Sequence, residues 1–335
     1  MIDLKRYWWP LAPLAELDTS QPIARTLHGI PLVLFRDAEG KPAALHDRCP
    51  HRHAPLSDGK VHQGRVVCPF HGWRFSANGC CTDVPGMNFE AGRTPVVPTF
   101  AARAAYGLVW VCAEPGDDTP EPVAPAVVEE VDVFFMTDTV QCEIDEGAEN
   151  FLDGFHTHFV HAGWIRRDSK RQTVNAEVRR LANGVEARYS NESLQSGLVS
   201  RIFEGSRTES FGRFYLPAIA EIEYRGNCGL NLLITAWLTP ESKGSLRFHA
   251  RVATRQGITP AWLKKVFLCW SFGIIFRQDK AILEQTRANI RRFEGMGPTP
   301  SILNTELDLL GPSIRRLLAG GELDDSVNCV RIIQI

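Results

Sequence analysis

Two short strings, Cys49-Pro50-His51 and Cys68-Pro69-Phe70-His71, each place a thiol beside an imidazole, with sixteen residues between His51 and Cys68. Two cysteines and two histidines can hold a zinc ion, or a [2Fe–2S] cluster with both thiolates on one iron and both imidazoles on the other. Zinc sites usually gather like ligands on one loop. Here each loop offers one of each kind, so the two loops are expected to clasp a two-metal object from opposite sides.

A second constellation lies at Glu149–His161, where three histidines and two acids fall within thirteen residues. Asp153 and His156 are three apart, hence neighbours if the segment is helical. That spacing lets the carboxylate accept the imidazole N–H, fixing its tautomer and raising its basicity as a ligand. A third feature comes late. Phe272, Phe276, Asp279 and Leu283 recur at helical spacing, so Asp279 projects from an apolar stripe. A buried acid without a partner is costly; a metal would satisfy it, and so would Arg277 or Arg287. Glu284 points elsewhere.

These groups must be positioned by ordinary elements. Residues 23–113 read as short strands (Ile30–Phe35, Ala43–His46, Arg65–Cys68, Trp73–Phe75, Gly107–Cys112) separated by turns at Glu39-Gly40, Gln63-Gly64 and Asn78-Gly79. The proline-rich, acidic segment 114–126 is the expected linker. A strand near Val133–Cys142 follows, then a helix from Glu146 to about His161. The stretch Gln172–Thr254 is β-rich, with Leu230–Thr239 and Ser245–Thr254 as an antiparallel pair. Helices are predicted over Thr259–Phe293 and Thr305–Leu318. The expectation is an α+β chain, with an all-β domain over 1–115 and a larger domain over 116–335.

Composition bounds the function. With 335 residues, 44% apolar and 23% charged, the chain has the balance of a soluble globular protein. A formal charge of −2 gives no electrostatic case for nucleic acid or an anionic membrane. The longest apolar run, Trp262–Phe276, is interrupted by Lys264 and Lys265 and falls short of a span. Residues 1–10 lack an apolar signal core, so a cytoplasmic protein with reduced cysteines is expected. Cys112, Cys142 and Cys269 lie in apolar runs as packing material, and Cys80 and Cys81 are expected to be strand residues rather than ligands.

The CPHR and CPFHGWRF strings resemble the Rieske motif, Cys-x-His and Cys-x2-His. Respiratory members of that class carry an extra disulfide-forming cysteine in each loop; the matching places here hold Ala54 and Phe70, which is the oxygenase and ferredoxin form. The second segment is similar to the mononuclear-iron motif of Rieske non-haem iron oxygenases, Asn-x2-Asp-x2-His-x4-His, at Asn150, Asp153, His156 and His161. The resemblance implies a [2Fe–2S] cluster on Cys49, His51, Cys68 and His71. It also implies an Fe(II) on His156, His161 and a late carboxylate, for which Asp279 is the candidate. Such a two-histidine, one-carboxylate face leaves positions open for O2. Asp153 would bridge His156 to His71 of a neighbouring subunit. Five residues at about 100° each hold His156 and His161 apart on a regular helix. The helix must therefore end or distort between Thr157 and Val160; if it stays regular, His158 becomes a rival ligand.

The resemblance covers most of the chain and implies a helix-grip (START-like) catalytic domain with an antiparallel sheet and flanking helices. It further implies a head-to-tail ring, usually a homotrimer. No GxGxxG string marks a nicotinamide or flavin site, so electrons from NAD(P)H would come through a separate reductase, with or without a ferredoxin. The implied activity is that of a terminal oxygenase that hydroxylates or O-/N-demethylates an aromatic or cyclic small molecule. Cis-dihydroxylation of an arene is the alternative. A Rieske ferredoxin with an accessory domain is the alternative from another class. Asn150, Phe155, Trp164 and Trp237 are candidates for the substrate pocket, with core packing as the competing role.

Overall fold

A computed structural model of the chain describes residues 2–88, 97–122, 130–192, 196–199, 207–257, 259–298 and 300–335. The chain forms two compact units, one of Asp3–Ala126 with Thr239–Lys243, the other of Val127–Leu238 with Gly244–Ile335.

The first unit is built from β1 (Trp8–Pro13), β2 (Ile23–Leu27), β3 (Ile30–Arg36), β4 (Pro42–His46), β5 (Lys60–His62), β6 (Arg65–Val67), β7 (Arg74–Phe75), β8 (Cys81–Asp83), β9 (Thr99–Ala105) and β10 (Leu108–Cys112). A six-stranded sheet runs in the order β1-β10-β9-β4-β3-β2, and a four-stranded one runs β5-β6-β7-β8. Every residue of β10 is buried, as its unbroken apolar sequence requires of a strand covered on both faces. The Asn78-Gly79 turn leads into β8, with Gly79 at φ +76°; a Cβ there would lie 2.0 Å from the Val97 carbonyl oxygen, so only glycine fits. Val33, Phe35, Leu45, Leu56, Val66 and Phe75 form a core that also encloses Cys49 and Cys68. The segment expected as a free linker is partly pinned to this unit. Glu114 pairs with Lys5 at 2.9 Å and Glu121 with Arg103 at 2.6 Å, while its residues 123–126 fall outside the described ones.

The second unit contains β11 (Val131–Val140), α1 (Ile144–Leu152), β12 (Thr173–Leu181), β13 (Gly184–Ser190), β14 (Arg207–Tyr215), β15 (Ile219–Gly226), β16 (Gly229–Ser242), β17 (Ser245–Arg255), α2 (Ala261–Arg292), α3 (Gly311–Leu318) and β18 (Cys329–Gln334). Its strands form one sheet in the order β11-β17-β16-β15-β14-β13-β12-β18. Helix α1 packs on β14 and β15, α2 on β11, and α3 on α1 and β13. Among the described residues no helix is long and apolar enough to cross a membrane.

Helix α1 begins at a capping box, in which the Glu146 carboxylate accepts the Glu143 N–H at 2.8 Å. Its buried residues Ile144, Gly147, Ala148 and Leu152 follow the helical period. Helix α2 is fixed along about 48 Å by ion pairs from Lys264 to Asp132 (2.7 Å), Lys280 to Asp138 (3.2 Å) and Arg287 to Glu143 (2.6 Å).

Two expectations need correction, and one strand lies outside them. The helix predicted to reach His161 ends at Leu152. There Asp153 turns extended, and its carboxylate accepts the N–H groups of Phe155 at 2.6 Å and His156 at 3.1 Å, opening a new 3-10 turn over His156–His158. The helix predicted from Thr305 starts at Gly311, with Pro312 in its first turn; before it, Asp308 holds a turn by accepting the Thr305 N–H and hydroxyl. Strand β18 was not foreseen. It pairs antiparallel with β12 at the edge of the sheet.

A Cβ on Gly147 would meet Phe248 at 3.1 Å, Leu246 at 3.2 Å and Cys142 at 3.3 Å. Gly147→Val is therefore expected to lower stability by about 1–3 kcal/mol through overpacking, read as a shift of the urea midpoint at constant slope.

Candidate metal centres

In the first unit two tight turns present the Cys/His pairs. Cys49 N–H donates to the Ala54 carbonyl at 2.9 Å, and His53 N–H donates to the Cys49 carbonyl at 2.9 Å. The second turn repeats the pattern, with Cys68 N–H to Trp73 O at 2.8 Å and Gly72 N–H to Cys68 O at 3.1 Å. Gly72 sits at φ +73°, a conformation that costs glycine nothing. Asp47 secures the first loop by accepting the Ser57 N–H at 2.7 Å and hydroxyl at 2.5 Å.

Both thiols are buried. Burial pushes the Cys49 thiol up to about 11, with the adjacent Cys68 thiol adding to the rise and the His51 and Arg52 N–H groups opposing it. Ionising two neighbouring buried thiols calls for the positive charge of a bound metal. His51 stacks on Trp73 at 4.7 Å and 5°, and its ring lies 4.7 Å from that of His71. The buried His51 Nδ1 has no hydrogen-bond partner. His71 is exposed beside Phe70. A single tetrahedral zinc would gather all four ligand atoms within about 4 Å of one another. Among the described residues, only His156, His161 and Asp279 bring three ligand atoms within 4.8 Å. One thiol and one imidazole on each loop is the donor set that a [2Fe–2S] cluster takes, with both thiolates on one iron and both imidazoles on the other.

The second centre lies in the second unit. His156 Nε2 and His161 Nε2 are 3.2 Å apart, and Asp279 Oδ1 lies 3.3 Å from the first and 3.0 Å from the second. The early end of α1 resolves the angular conflict between the histidines, since they do not share a helix. His161 Nδ1–H donates to Gln278 Oε1 at 2.9 Å. His156 Nδ1 lies 3.5 Å from Asp153 Oδ2, an ion-pair distance without a hydrogen bond. Both rings thus turn their Nε2 atoms toward Asp279, and three potential donor atoms facing one point suit a cation. Asn150 Nδ2 donates to Asp279 Oδ1 at 3.0 Å. Arg287 pairs with Glu143 and Glu146 instead of Asp279. His158 is buried with Nδ1 on the Phe155 carbonyl at 3.2 Å and stands outside the trio.

A buried ion network braces the loop that carries His156. Arg166 Nε and Nη2 donate to Glu192 at 3.0 Å each, while Nη1 donates to Gly154 O at 3.1 Å and Thr157 Oγ1 at 2.9 Å. Arg207 pairs with the same carboxylate. Burial would raise Glu192, but the two guanidinium groups hold it below the ordinary carboxylate range.

The trio opens on a cavity of about 150 Å3 whose sheet wall includes Ile222, Tyr224, Leu232, Ile234, Ala250 and Val252. An apolar cavity of that order accepts a guest the size of benzene. Of the residues proposed from sequence for a pocket, Asn150 lines this cavity and Phe155, Trp164 and Trp237 do not. Phe155 lies under the Arg171 guanidinium at 4.5 Å, Trp164 packs edge-on against Trp270 at 5.7 Å, and Trp237 is buried on β16 opposite Ile219. Each makes packing contacts outside the cavity lining. Gln278 and Arg166 escaped the sequence reading. The one available signal was the need of every metal-facing imidazole for an acceptor at its second nitrogen.

Comparison with known proteins agrees with this geometry. The Rieske [2Fe-2S] domain family matches residues 7–101, and the Vanillate O-demethylase oxygenase C-terminal domain family matches residues 140–321, more than half of the chain. The oxygenase component of dicamba O-demethylase from Stenotrophomonas maltophilia is 26% identical over 331 residues, covering 89% of this chain and 92% of that protein. Chloroplastic chlorophyllide a oxygenase of Chlamydomonas reinhardtii is 34% identical over 168 residues, but the match spans only 49% of this chain and 25% of that protein. A crystal structure of dicamba monooxygenase bound to dicamba superposes with a TM-score of 0.81 at 22% identity, covering 96% of this chain and 98% of that one.

A cluster-binding β domain joined to a helix-grip domain defines a two-centre oxygenase. The chain belongs to the Rieske non-haem iron oxygenases, and its C-terminal part is of the vanillate O-demethylase type. Its cofactors are accordingly a [2Fe–2S] cluster and a mononuclear iron. A lone Rieske ferredoxin is set aside by the second domain.

The second centre makes the iron-depleted protein sensitive to pH. For His156, burial acts downward but Asp153 and Asp279 raise it to about 9. A raised folded value gives stability that is complete below about 6.5 and lost as the pH climbs through 9. For Asp279, burial acts upward but the two histidines hold it down to about 2, so its contribution is present above about 4 and lost as the pH falls through 2. Iron-depleted enzyme should lose on the order of 1–2 kcal/mol between pH 6.5 and 9 in urea titrations, and Asp279→Asn should flatten that slope.

Proposed function

We propose that the chain is the terminal oxygenase component of a demethylating system, acting on an O- or N-methyl group of an aromatic or other cyclic small molecule. The observation that carries this reading is the convergence of His156, His161 and Asp279 at the wall of an apolar cavity. The demethylase identity of a relative matched over nearly its whole length supports it. In this reading residues 1–115 relay electrons and 116–335 perform the chemistry. Cys49, His51, Cys68 and His71 hold the cluster, and His156, His161 and Asp279 hold the iron. When bound, these two groups supply electrons one at a time and the redox chemistry that couples O2 reduction to hydroxylation of the substrate.

The chain's own residues do the rest. Gln278 fixes the tautomer of His161, Asp153 places its carboxylate charge beside the His156 ring, and Arg166 anchors the turn that carries His156. The sheet wall excludes water and seats the ring. The Asp153 side chain keeps 36% of its surface accessible, and His71 is exposed. A neighbouring copy can therefore bring its His71 to Asp153, which supports a head-to-tail ring, most simply a homotrimer. The partners are O2 and a separate NAD(P)H-dependent reductase, directly or through a ferredoxin. Nine cysteines without a disulfide fit the reducing cytoplasm.

The test couples purified enzyme to a surrogate reductase and follows formaldehyde release against O2 uptake across methoxylated and N-methylated rings. Three irons per chain and stoichiometric formaldehyde are expected; a cis-diol product, or two irons per chain, would defeat the proposal. Asp153→Asn should leave cluster reduction intact while turnover falls about 10–100-fold, with iron content measured to separate relay from ligand support. Gln278→Leu should weaken mononuclear iron binding about 10–100-fold and leave the visible spectrum of the cluster unchanged.

A further inference from the structure

Tyr189 on β13 and Ser210 on β14 stand directly opposite each other in the sheet. Both line the cavity, and they are 8% and 5% exposed. Neither hydroxyl makes a hydrogen bond among the described residues. Several other polar groups of the cavity are engaged: Asn150 bonds Asp279, Thr157 donates to the Gly154 carbonyl at 2.6 Å, Arg166 grips Glu192, and Tyr224, whose ring packs under Arg207 at 4.5 Å, has a further partner. Buried hydroxyls in native proteins nearly always find a partner. Two adjacent ones that look into an otherwise apolar cavity mark the place where a guest supplies it.

We propose that Tyr189 and Ser210 form a polar subsite on the sheet wall that binds a neutral oxygen carried on the substrate ring, a phenolic hydroxyl or a carbonyl. This assignment rests on the demethylase reading of the same cavity. Each hydroxyl can donate and accept, so one ring oxygen can satisfy both. Neutrality follows from the surroundings: burial, and after it the charge of Asp153, push the Tyr189 phenol upward. An anionic oxygen at that place would meet the same two penalties. The subsite selects because an analogue lacking the oxygen leaves both hydroxyls unsatisfied.

Isothermal titration of the iron-loaded enzyme under argon with 3-methoxyphenol, methoxybenzene and 3-methoxybenzoate tests this. The phenol should bind about tenfold tighter than methoxybenzene, and the benzoate weaker than the phenol. The isosteric double variant Tyr189→Phe/Ser210→Ala should erase the phenol's advantage, keep the affinity for methoxybenzene within about twofold, and raise KM more than it lowers kcat. Equal affinities in the unmodified enzyme, an advantage that survives the double variant, tighter benzoate, or no binding of any probe would overturn it. An advantage that holds without formaldehyde release keeps the subsite and removes the demethylase reading; release without an advantage does the reverse.

Discussion

Two imidazole nitrogens and a carboxylate oxygen, one buried and two mostly enclosed, lie within about 3 Å of one another and are the constraint around which the second unit is organised. Such a trio is unstable unless its charges and lone pairs are matched, and the surrounding structure is arranged to hold it together. Helix α2 is tied down at Lys264, Lys280 and Arg287, so Asp279 and Gln278 arrive on a rigid rod. The histidines arrive on a short irregular segment, which would drift without help. Arg166 supplies that help by bonding the Gly154 carbonyl and Thr157 while Glu192 holds its guanidinium in place.

That arrangement places a costly group under the loop. A buried ion pair contributes little net stability by itself, because desolvation opposes the attraction. Its value here is positional. Arg166 grips the buried Glu192 carboxylate in a bidentate fork, with Arg207 as a second cation on it, which fixes an angle as well as a distance. The same logic applies in the first unit. The thiols sit in the core, whereas the imidazoles reach toward solvent, one stacked on Trp73 and the other exposed beside Phe70.

Much of this was legible in the sequence because the informative residues are local. The Cys/His pairs declare themselves over three and four residues, and the stripe Phe272, Phe276, Asp279 announces a carboxylate on an apolar helix face. The boundary of α1 was misplaced for a physical reason. Periodicity continues through Phe155 and His158, but Asp153 captures two backbone N–H groups and stops the helix. The supports that depend on distant partners could not be read: Glu192 lies 26 residues from Arg166, and Gln278 lies 117 from His161. Gln278 is also one step round the helix from Asp279, so a face-by-face reading assigns it elsewhere. Strand β18 was missed because its pairing partner β12 lies some 150 residues earlier in the chain.

The two sides of the cavity have different construction. The chemistry-bearing side is a loop and a helix locked by salt links, while the opposing wall is a regular lattice of strands spaced about 4.8 Å apart. On β15 to β17, alternate residues face the cavity, so a substitution at one lattice point reshapes one patch of its outline without moving His156, His161 or Asp279. The shape of the cavity can therefore be altered residue by residue from the wall side, independently of the loop and helix opposite.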